Sequence, residues 1–140
     1  MAYHWDSSLE TGYPKVDNQH KQLIAALNEI AEASKTGKGK EEIFKTVDFL
    51  TGYTIMHFSD EEKLMEKYEY IDYLYHKRLH DDFKITVGNL TKQLIQEGPT
   101  EEMVSVVTTA IGDWLLNHIK GDDFRMAAYV KSREQITNNK

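Results

Sequence analysis

Two short motifs, His57-Phe-Ser-Asp-Glu61 and His76-Lys-Arg-Leu-His80, lie within residues 56–81 and decide how the chain folds. Each motif places two side chains that can bind metal four residues apart. Residues at this spacing lie on one face of an α-helix, one turn from each other. Each motif therefore predicts a helix that directs two such side chains toward the same neighbour.

Apolar side chains repeat at intervals of three and four residues along most of the chain, as they do in packed helices. The pattern predicts helices that begin near Asp17, Glu41, Asp72 and Thr100. Glycines mark the first and third connections, at residues 35–40 and 98–99, and a short connection at residues 68–72 leads into the third helix. The interior positions of these four helices are Val16, His20, Leu23, Leu27 and Ile30; Ile43, Val47, Leu50, Thr54, His57, Glu61 and Leu64; His76, His80, Phe83, Val87, Leu90 and Leu94; and Val104, Val107, Ile111, Trp114 and His118.

The predicted fold class is all-α, because no segment alternates as a strand does. The 140 residues are enough for one domain with a single packed core. We expect an extended N-terminal arm at residues 1–16 and an up-down-up-down antiparallel four-helix bundle at residues 17–120. A short C-terminal helix and a polar tail are expected at residues 121–140, with the helix at about residues 122–130 and the tail at residues 132–140.

Composition excludes several kinds of site and partner. The chain has no cysteine, which excludes disulfides, thiolate zinc sites, iron–sulfur clusters and cysteine nucleophiles. A formal net charge of −6 argues against nucleic acid as a partner. We recognise no signal peptide and no apolar segment long enough to insert into a membrane. A cytoplasmic protein is therefore expected.

Five of the six histidines, together with one glutamate, fall on the predicted interior faces, whereas His4 is expected at the surface. A buried carboxylate without a partner costs several kcal/mol or becomes protonated, and a metal ion would compensate it. In an antiparallel bundle, the starts of the first and third helices meet the ends of the second and fourth. The residues predicted to converge there are His20, His57, Glu61, His76, His80 and His118.

A second carboxylate is expected from Asp122 or Asp123. Asp123 follows His118 by five residues, which corresponds to about 140° of rotation on a regular α-helix. Gly121 lies between them and could accompany a local distortion or the end of the helix. Asp122, at a spacing of four, is the regular alternative. The spacing alone leaves both open.

Imidazole and carboxylate ligands suit iron, zinc, copper or nickel, whereas calcium and magnesium prefer oxygen ligands. Seven ligands are too many for one ion and suit two ions with bridging carboxylates. If both ions share the two carboxylates and one bridging oxygen, three histidines make one ion six-coordinate. The other two histidines make the second ion five-coordinate, with one open position. Ferritin-like carboxylate bundles use a glutamate three residues before a histidine. None of the six histidines has one.

These motifs resemble the hemerythrin family, and specifically its single-domain bacterial members, the bacteriohemerythrins. The family pattern is a histidine on the first helix, followed by H-x-x-x-E, H-x-x-x-H and H-x-x-x-x-D. In this chain, over about residues 3–130, the pattern reads His20, His57-Phe-Ser-Asp-Glu61, His76-Lys-Arg-Leu-His80 and His118-Ile-Lys-Gly-Asp-Asp123.

The resemblance implies a non-haem diiron site and favours Asp123 over Asp122. It also implies an oxo or hydroxo group that completes the bridge between the two irons. By this resemblance, one iron would be bound by His76, His80 and His118. The oxygen-binding iron would be bound by His20 and His57. Both irons would be bridged by Glu61 and Asp123.

The implied function is reversible binding of dioxygen in a carrier, storage or delivery protein, not in an enzyme. One alternative is an oxygen or redox sensor that acts through a separate, unidentified protein partner. Another is a diiron peroxidase or a nitric-oxide-handling protein. Leu115, one turn before His118, is the best candidate for the wall of the oxygen pocket. Phe58 and Trp114 are weaker candidates, for which core packing is the alternative.

Overall fold

The computed structural model describes residues 3–138, and these form an all-α fold with four main helices, as predicted. No strand occurs within this range, and no helix in it is long and apolar enough to cross a membrane. The elements are a 3-10 turn at Ser7–Leu9, α1 (Pro14–Lys35), α2 (Lys40–Lys67), α3 (Tyr73–Glu97), α4 (Glu101–His118), a π-helical turn at Ile119–Asp123 and α5 (Phe124–Asn138).

The four main helices enclose one large apolar cluster. α1 packs against α2 and α4, and α3 packs against the same two helices. The predicted interior positions are buried except for Leu64, Leu90 and Trp114, which are partly exposed. The up-down-up-down antiparallel order stays a prediction from the sequence. The large cluster includes Leu23, Leu27, Ile30, Ile43, Val47, Phe58, Phe83, Leu94, Val104, Val107 and Leu115.

α1 begins at Pro14, not at Asp17 as predicted. Proline suits the first helical position, because the N–H that it lacks would have no partner there. Asp17 is buried, and its carboxylate accepts hydrogen bonds from the N–H and hydroxyl of Thr11, at 2.8 and 2.7 Å, and from the N–H of Gly12, at 3.1 Å. Asp17 therefore fastens the N-terminal arm to the helix, and its prediction as the N-cap was wrong.

The described part of the arm lies across α1 and α4. The N–H of Tyr3 donates to the side-chain oxygen of Asn28 at 2.8 Å, and the Asn28 amide donates to the Tyr3 carbonyl at 2.6 Å. The Tyr3 ring occupies the space beside Gly112, where any Cβ would collide with it. Trp5 packs, partly buried, against the large cluster. These contacts hold the arm against the bundle.

The chain after His118 differs from the prediction. Of the two alternatives at Gly121, the structure has the local distortion and not the end of the helix, because α4 continues through the π-helical turn into α5. α5 reaches Asn138, so the predicted polar tail is wrong for residues 132–138, while residues 139 and 140 lie outside the described range. Two buried side chains of α5 join a second, smaller apolar cluster. The small cluster consists of Val16, Met65, Tyr70, Met126 and Val130.

α5 also holds the connection between α2 and α3. The Tyr129 hydroxyl donates to the carbonyl of Tyr68 at 2.7 Å and to that of Glu69 at 3.2 Å. Glu69 takes a positive φ of 55°, which lets the chain turn sharply after α2. The Tyr129 ring also contacts the Tyr70 ring. The C-terminal helix thus fixes the turn that separates the two sequence motifs.

Candidate metal centre

The seven predicted ligands come together near one end of the four-helix ring. They lie near the starts of α1 and α3, near the ends of α2 and α4, and in the π-helical turn. All are buried, with at most 3% of any residue exposed. Their ligand atoms form two groups, within each of which all atoms lie within 4.8 Å of one another. The three-histidine group is Glu61, His76, His80, His118 and Asp123, and the two-histidine group is His20, His57, Glu61 and Asp123.

Both carboxylates belong to both groups. Glu61 Oε2 lies 3.1 Å from His57 Nε2, and Glu61 Oε1 lies 3.1 Å from His80 Nε2. Asp123 divides its oxygens in the same way. Its Oδ2 lies 2.9 Å from His20 Nε2, and its Oδ1 lies 3.1 Å from two Nε2 atoms of the three-histidine group. Each carboxylate directs one oxygen at each group, which is the arrangement of a bridging ligand.

Most of these atoms lack a hydrogen bond of acceptable geometry, although they lie close together. The Nε2 atoms of His20, His57 and His76, and all four carboxylate oxygens of Glu61 and Asp123, are buried without such a partner. Unpartnered charged groups are expensive to bury, and a cation would compensate them. Imidazole and carboxylate donors also suit iron. The residues present therefore fit a pair of metal ions.

The π-helical turn brings Asp123 into the cluster. Hydrogen bonds in a π-helix join residues five apart, so this turn places Asp123 on the same side as His118. Asp122 lies outside the cluster, where its carboxylate accepts a hydrogen bond from His118 Nδ1 at 3.0 Å and pairs with Arg125 at 2.6 Å. The π-helical turn therefore explains how two ligands five residues apart, His118 and Asp123, lie on one side of the helix, which a regular α-helix would not allow.

Two further imidazoles are oriented by side chains that the sequence analysis missed. His57 Nδ1 lies 2.7 Å from Gln19 Oε1, and His80 Nδ1 lies 2.9 Å from Glu62 Oε2. Hydrogen bonds at Nδ1 fix the tautomer and direct Nε2 toward a metal. Gln19 and Glu62 are each adjacent in the chain to a predicted ligand, and that is the only signal of their role in the sequence.

In the metal-free protein, the carboxylates hold several histidines protonated. Burial opposes the charge, but the nearby carboxylates of Asp123 and Glu61 raise the pKa of His20 and His76 to about 9. Burial likewise opposes the charge of His118, and the same two carboxylates with Asp122 raise its pKa to about 10. Burial favours protonation of Glu61 and Asp123, yet the histidines lower the pKa of both carboxyls. Metal binding must therefore displace protons.

Two of the three candidates for the pocket wall pack against the candidate ligands. Phe58 stacks on the His80 ring, with 3.8 Å between ring centroids and 3° between planes. Trp114 stacks on the His118 ring, at 4.5 Å and 16°. Leu115 is buried in the large apolar cluster. Phe58 and Trp114 thus pack against the three-histidine group, and the role of all three residues in an oxygen pocket stays a prediction.

A family model described as "Hemerythrin HHE cation binding domain" matches residues 11–130. The chain belongs to the hemerythrin family. It is 30% identical to a bacteriohemerythrin of Stenotrophomonas maltophilia over 128 residues, which cover 91% of this chain and 81% of that protein. It is also 30% identical to a myohemerythrin of Theromyzon tessulatum, over 88% of this chain and 89% of that one. These matches confirm the resemblance read from the motifs.

Solved hemerythrin structures share the fold. A wild-type hemerythrin crystal structure superposes with a TM-score of 0.80 at 29% identity and covers 93% of this chain and 98% of that one. The family match extends over every residue of the cluster, from His20 to Asp123. The cation binding named in the family description agrees with the buried, unpartnered donor atoms of this chain, all of which lie within the matched residues.

Proposed function

We propose that this chain binds dioxygen reversibly at a non-haem diiron site and serves as an oxygen carrier, storage or delivery protein in the cytoplasm, not as an enzyme. One observation carries the proposal: the two ligand groups share both carboxylates but differ by one histidine. This asymmetry suits a pair of metals of which only one can accept a small ligand. The names of the relatives, bacteriohemerythrin and myohemerythrin, support the same role.

Each group would hold one iron, and the iron pair, when bound, supplies the electrons for holding and releasing dioxygen. With both carboxylates and an oxo or hydroxo group, the three-histidine group would offer six ligands to its iron. The two-histidine group would offer five and so leave room for a small ligand. The residues are His76, His80 and His118 for the first iron, His20 and His57 for the second, and Glu61 and Asp123 for both.

The surroundings of the centre favour reversible binding. Both histidines of the two-histidine group are fully buried, so the free position would be reached through the protein interior. Apolar walls, for which Leu115 is the first candidate, would exclude water and protons and slow irreversible oxidation. Only two carboxylates accompany five histidines, and this gives less negative charge than a carboxylate-rich centre to stabilise high-valent iron.

The proposal is tested by metal analysis and an optical oxygen titration. Purified protein is expected to contain two irons per chain. The reduced, diferrous protein should develop a visible charge-transfer band on exposure to oxygen and lose it under vacuum. Zinc alone, or no metal, would contradict the diiron centre.

The same titration separates the alternatives. Irreversible oxidation with turnover of peroxide or nitric oxide would favour an enzyme over a carrier. A sensor would bind oxygen reversibly but also change its conformation. Hydrogen exchange, measured with and without oxygen, would detect such a change as altered protection of one or more helices.

A further inference from the structure

Two of the three histidines in the three-histidine group have an Nδ1 atom that faces a carboxylate. His80 Nδ1 lies 2.9 Å from Glu62 Oε2, and His118 Nδ1 lies 3.0 Å from Asp122 Oδ2. The two carboxylate side chains are only 15% and 19% exposed, so water screens them incompletely. Two carboxylates therefore lie directly behind imidazoles of this group, and Asp122 is also paired with Arg125 at 2.6 Å, which offsets part of its charge.

The two-histidine group is supported by a neutral side chain instead. His57 Nδ1 faces the oxygen of the Gln19 amide, at 2.7 Å. The Gln19 amide nitrogen donates to Asp60 Oδ2 at 2.8 Å, and this bond fixes which end of the amide meets the histidine. His20 Nδ1 is buried without a hydrogen-bond partner. Among the described residues, no carboxylate hydrogen-bonds to the Nδ1 of either histidine.

This difference affects metal affinity. A carboxylate that accepts the Nδ1–H bond makes the imidazole a stronger ligand and adds negative charge near the metal, whereas an amide contributes only a dipole. We propose that Glu62 and Asp122 are positioning residues that make the three-histidine site the tighter of two metal sites, while Gln19 keeps the other site weaker. The inference rests on the two-metal centre of the proposed function but not on oxygen binding.

The three-histidine site also has one more histidine ligand, and this alone would make it bind metal more tightly. The test must therefore change only the residues behind the ligands and leave every ligand in place. Glu62→Gln and Asp122→Asn each retain an acceptor oxygen and remove one charge. Metal-free protein would be titrated with cobalt(II) alone, and its visible d–d absorption followed. The wild type is expected to bind cobalt in two steps. Each variant should weaken the tighter step about 10- to 100-fold, the usual effect of removing such a partner, and leave the weaker step unchanged.

A matched control lies one helical turn further along α2. Glu66 accepts a hydrogen bond from the Tyr73 hydroxyl at 2.7 Å, and no histidine of the described residues hydrogen-bonds to it. Glu66→Gln removes the same charge from the same helix, so both cobalt steps should stay as in the wild type. If this variant weakened the tighter step as much as Glu62→Gln, general surface charge would explain the effect and the inference would fail.

A reciprocal exchange tests the weaker site. Gln19→Glu combined with Asp60→Asn keeps the net charge and a hydrogen bond between the two positions, but it places the carboxylate behind His57. The weaker cobalt step should tighten about tenfold, toward the stronger one. Because the exchange is independent of the other variants, it decides the matter if either of them fails to fold, as monitored by circular dichroism.

The outcomes are distinguishable. If the affinities of both cobalt steps are the same in Glu62→Gln, Asp122→Asn and the exchange variant as in the wild type, the inference is overturned and the two-metal centre stands. Equal weakening of both steps would overturn it as well. Binding of fewer than two cobalt ions by the wild type would instead contradict the two-metal centre of the proposed function.

Discussion

The candidate metal centre lies between two apolar clusters that differ in size and origin. The large cluster takes residues from all four main helices, whereas the small cluster takes residues from α1, α2, α5 and the connection before α3. Along α1, for example, Val16 belongs to the small cluster, His20 to the centre and Leu23 to the large cluster. The large cluster can form from apolar burial alone. The layer of histidines and carboxylates, in contrast, needs a cation for full stability.

The largest expected effect removes one ligand from the polar layer. His118→Ala deletes a ligand of the three-histidine group, so the chain should retain at most one of its two irons. Metal analysis of the purified protein measures this loss. His4→Ala is the control, because His4 is exposed and belongs to neither ligand group, and it should keep two irons. An unchanged iron content in His118→Ala would remove this residue from the centre.

A smaller effect is expected in the large cluster. Leu94 is fully buried there, and Leu94→Ala should lower the free energy of unfolding of the metal-free protein by about 2–5 kcal/mol through lost burial and a cavity. Iron content should stay at two per chain. Leu90→Ala, at a partly exposed position of the same helix, should cost less. Urea unfolding measures both values, and loss of iron in Leu94→Ala would show that the two regions are not independent.

The smallest effect is the response of the metal-free protein to pH. The pKa values of His20, His76 and His118, raised to about 9 or 10, mean that the folded state holds protons more tightly than the unfolded state. Their stabilising contribution is complete below the unfolded pKa of about 6.5 and is lost as the pH rises through about 9 to 10. The melting temperature should therefore fall between pH 6.5 and pH 10.

The iron-loaded protein provides the contrast for that measurement. Metal binding requires neutral imidazoles, so raising the pH from 6 to 8 should favour the loaded state. A melting temperature of the metal-free protein that is constant or rises above pH 7 would contradict the protonated cluster.

Most of the interior could be predicted because periodicity records burial directly. His57, Glu61, His76 and His80 follow the same three-and-four spacing as the aliphatic residues around them, so their burial could be read from the sequence. A charged residue at a buried position needs a compensating charge, and a metal ion provides one. The fold class followed from the same periodicity.

The errors have local physical causes. Asp17 looked like an N-cap, but Pro14 can begin a helix without any capping side chain, and the carboxylate binds the arm instead. Residues 132–138 are mostly polar, which suggested a tail, yet Met126 and Val130 anchor the helix that carries them. A polar sequence indicates that a segment is exposed to solvent. Such a segment can still be helical when the preceding turns of the same helix are packed against the protein.

The contacts of Gln19 and Glu62 could not be predicted, because they depend on how neighbouring helices approach. Both side chains reach a histidine of another helix, His57 or His80, over a separation of 38 or 18 residues. Helical periodicity describes one helix at a time and gives no distance between two. Asp123 is a different case, since its place depends on a turn that departs from regular periodicity.

The π-helical turn holds one residue more between His118 and Asp123 than a regular helix needs to keep the two side chains on one face. Deleting one residue there, such as Gly121, would shorten the spacing to four, at which a regular α-helix also keeps both side chains on that face. The bridging carboxylate and the helix that carries Tyr129 would then keep their directions. When hemerythrin sequences are aligned, a one-residue gap in this stretch is therefore compatible with an intact centre, whereas replacement of the carboxylate itself removes a bridging ligand.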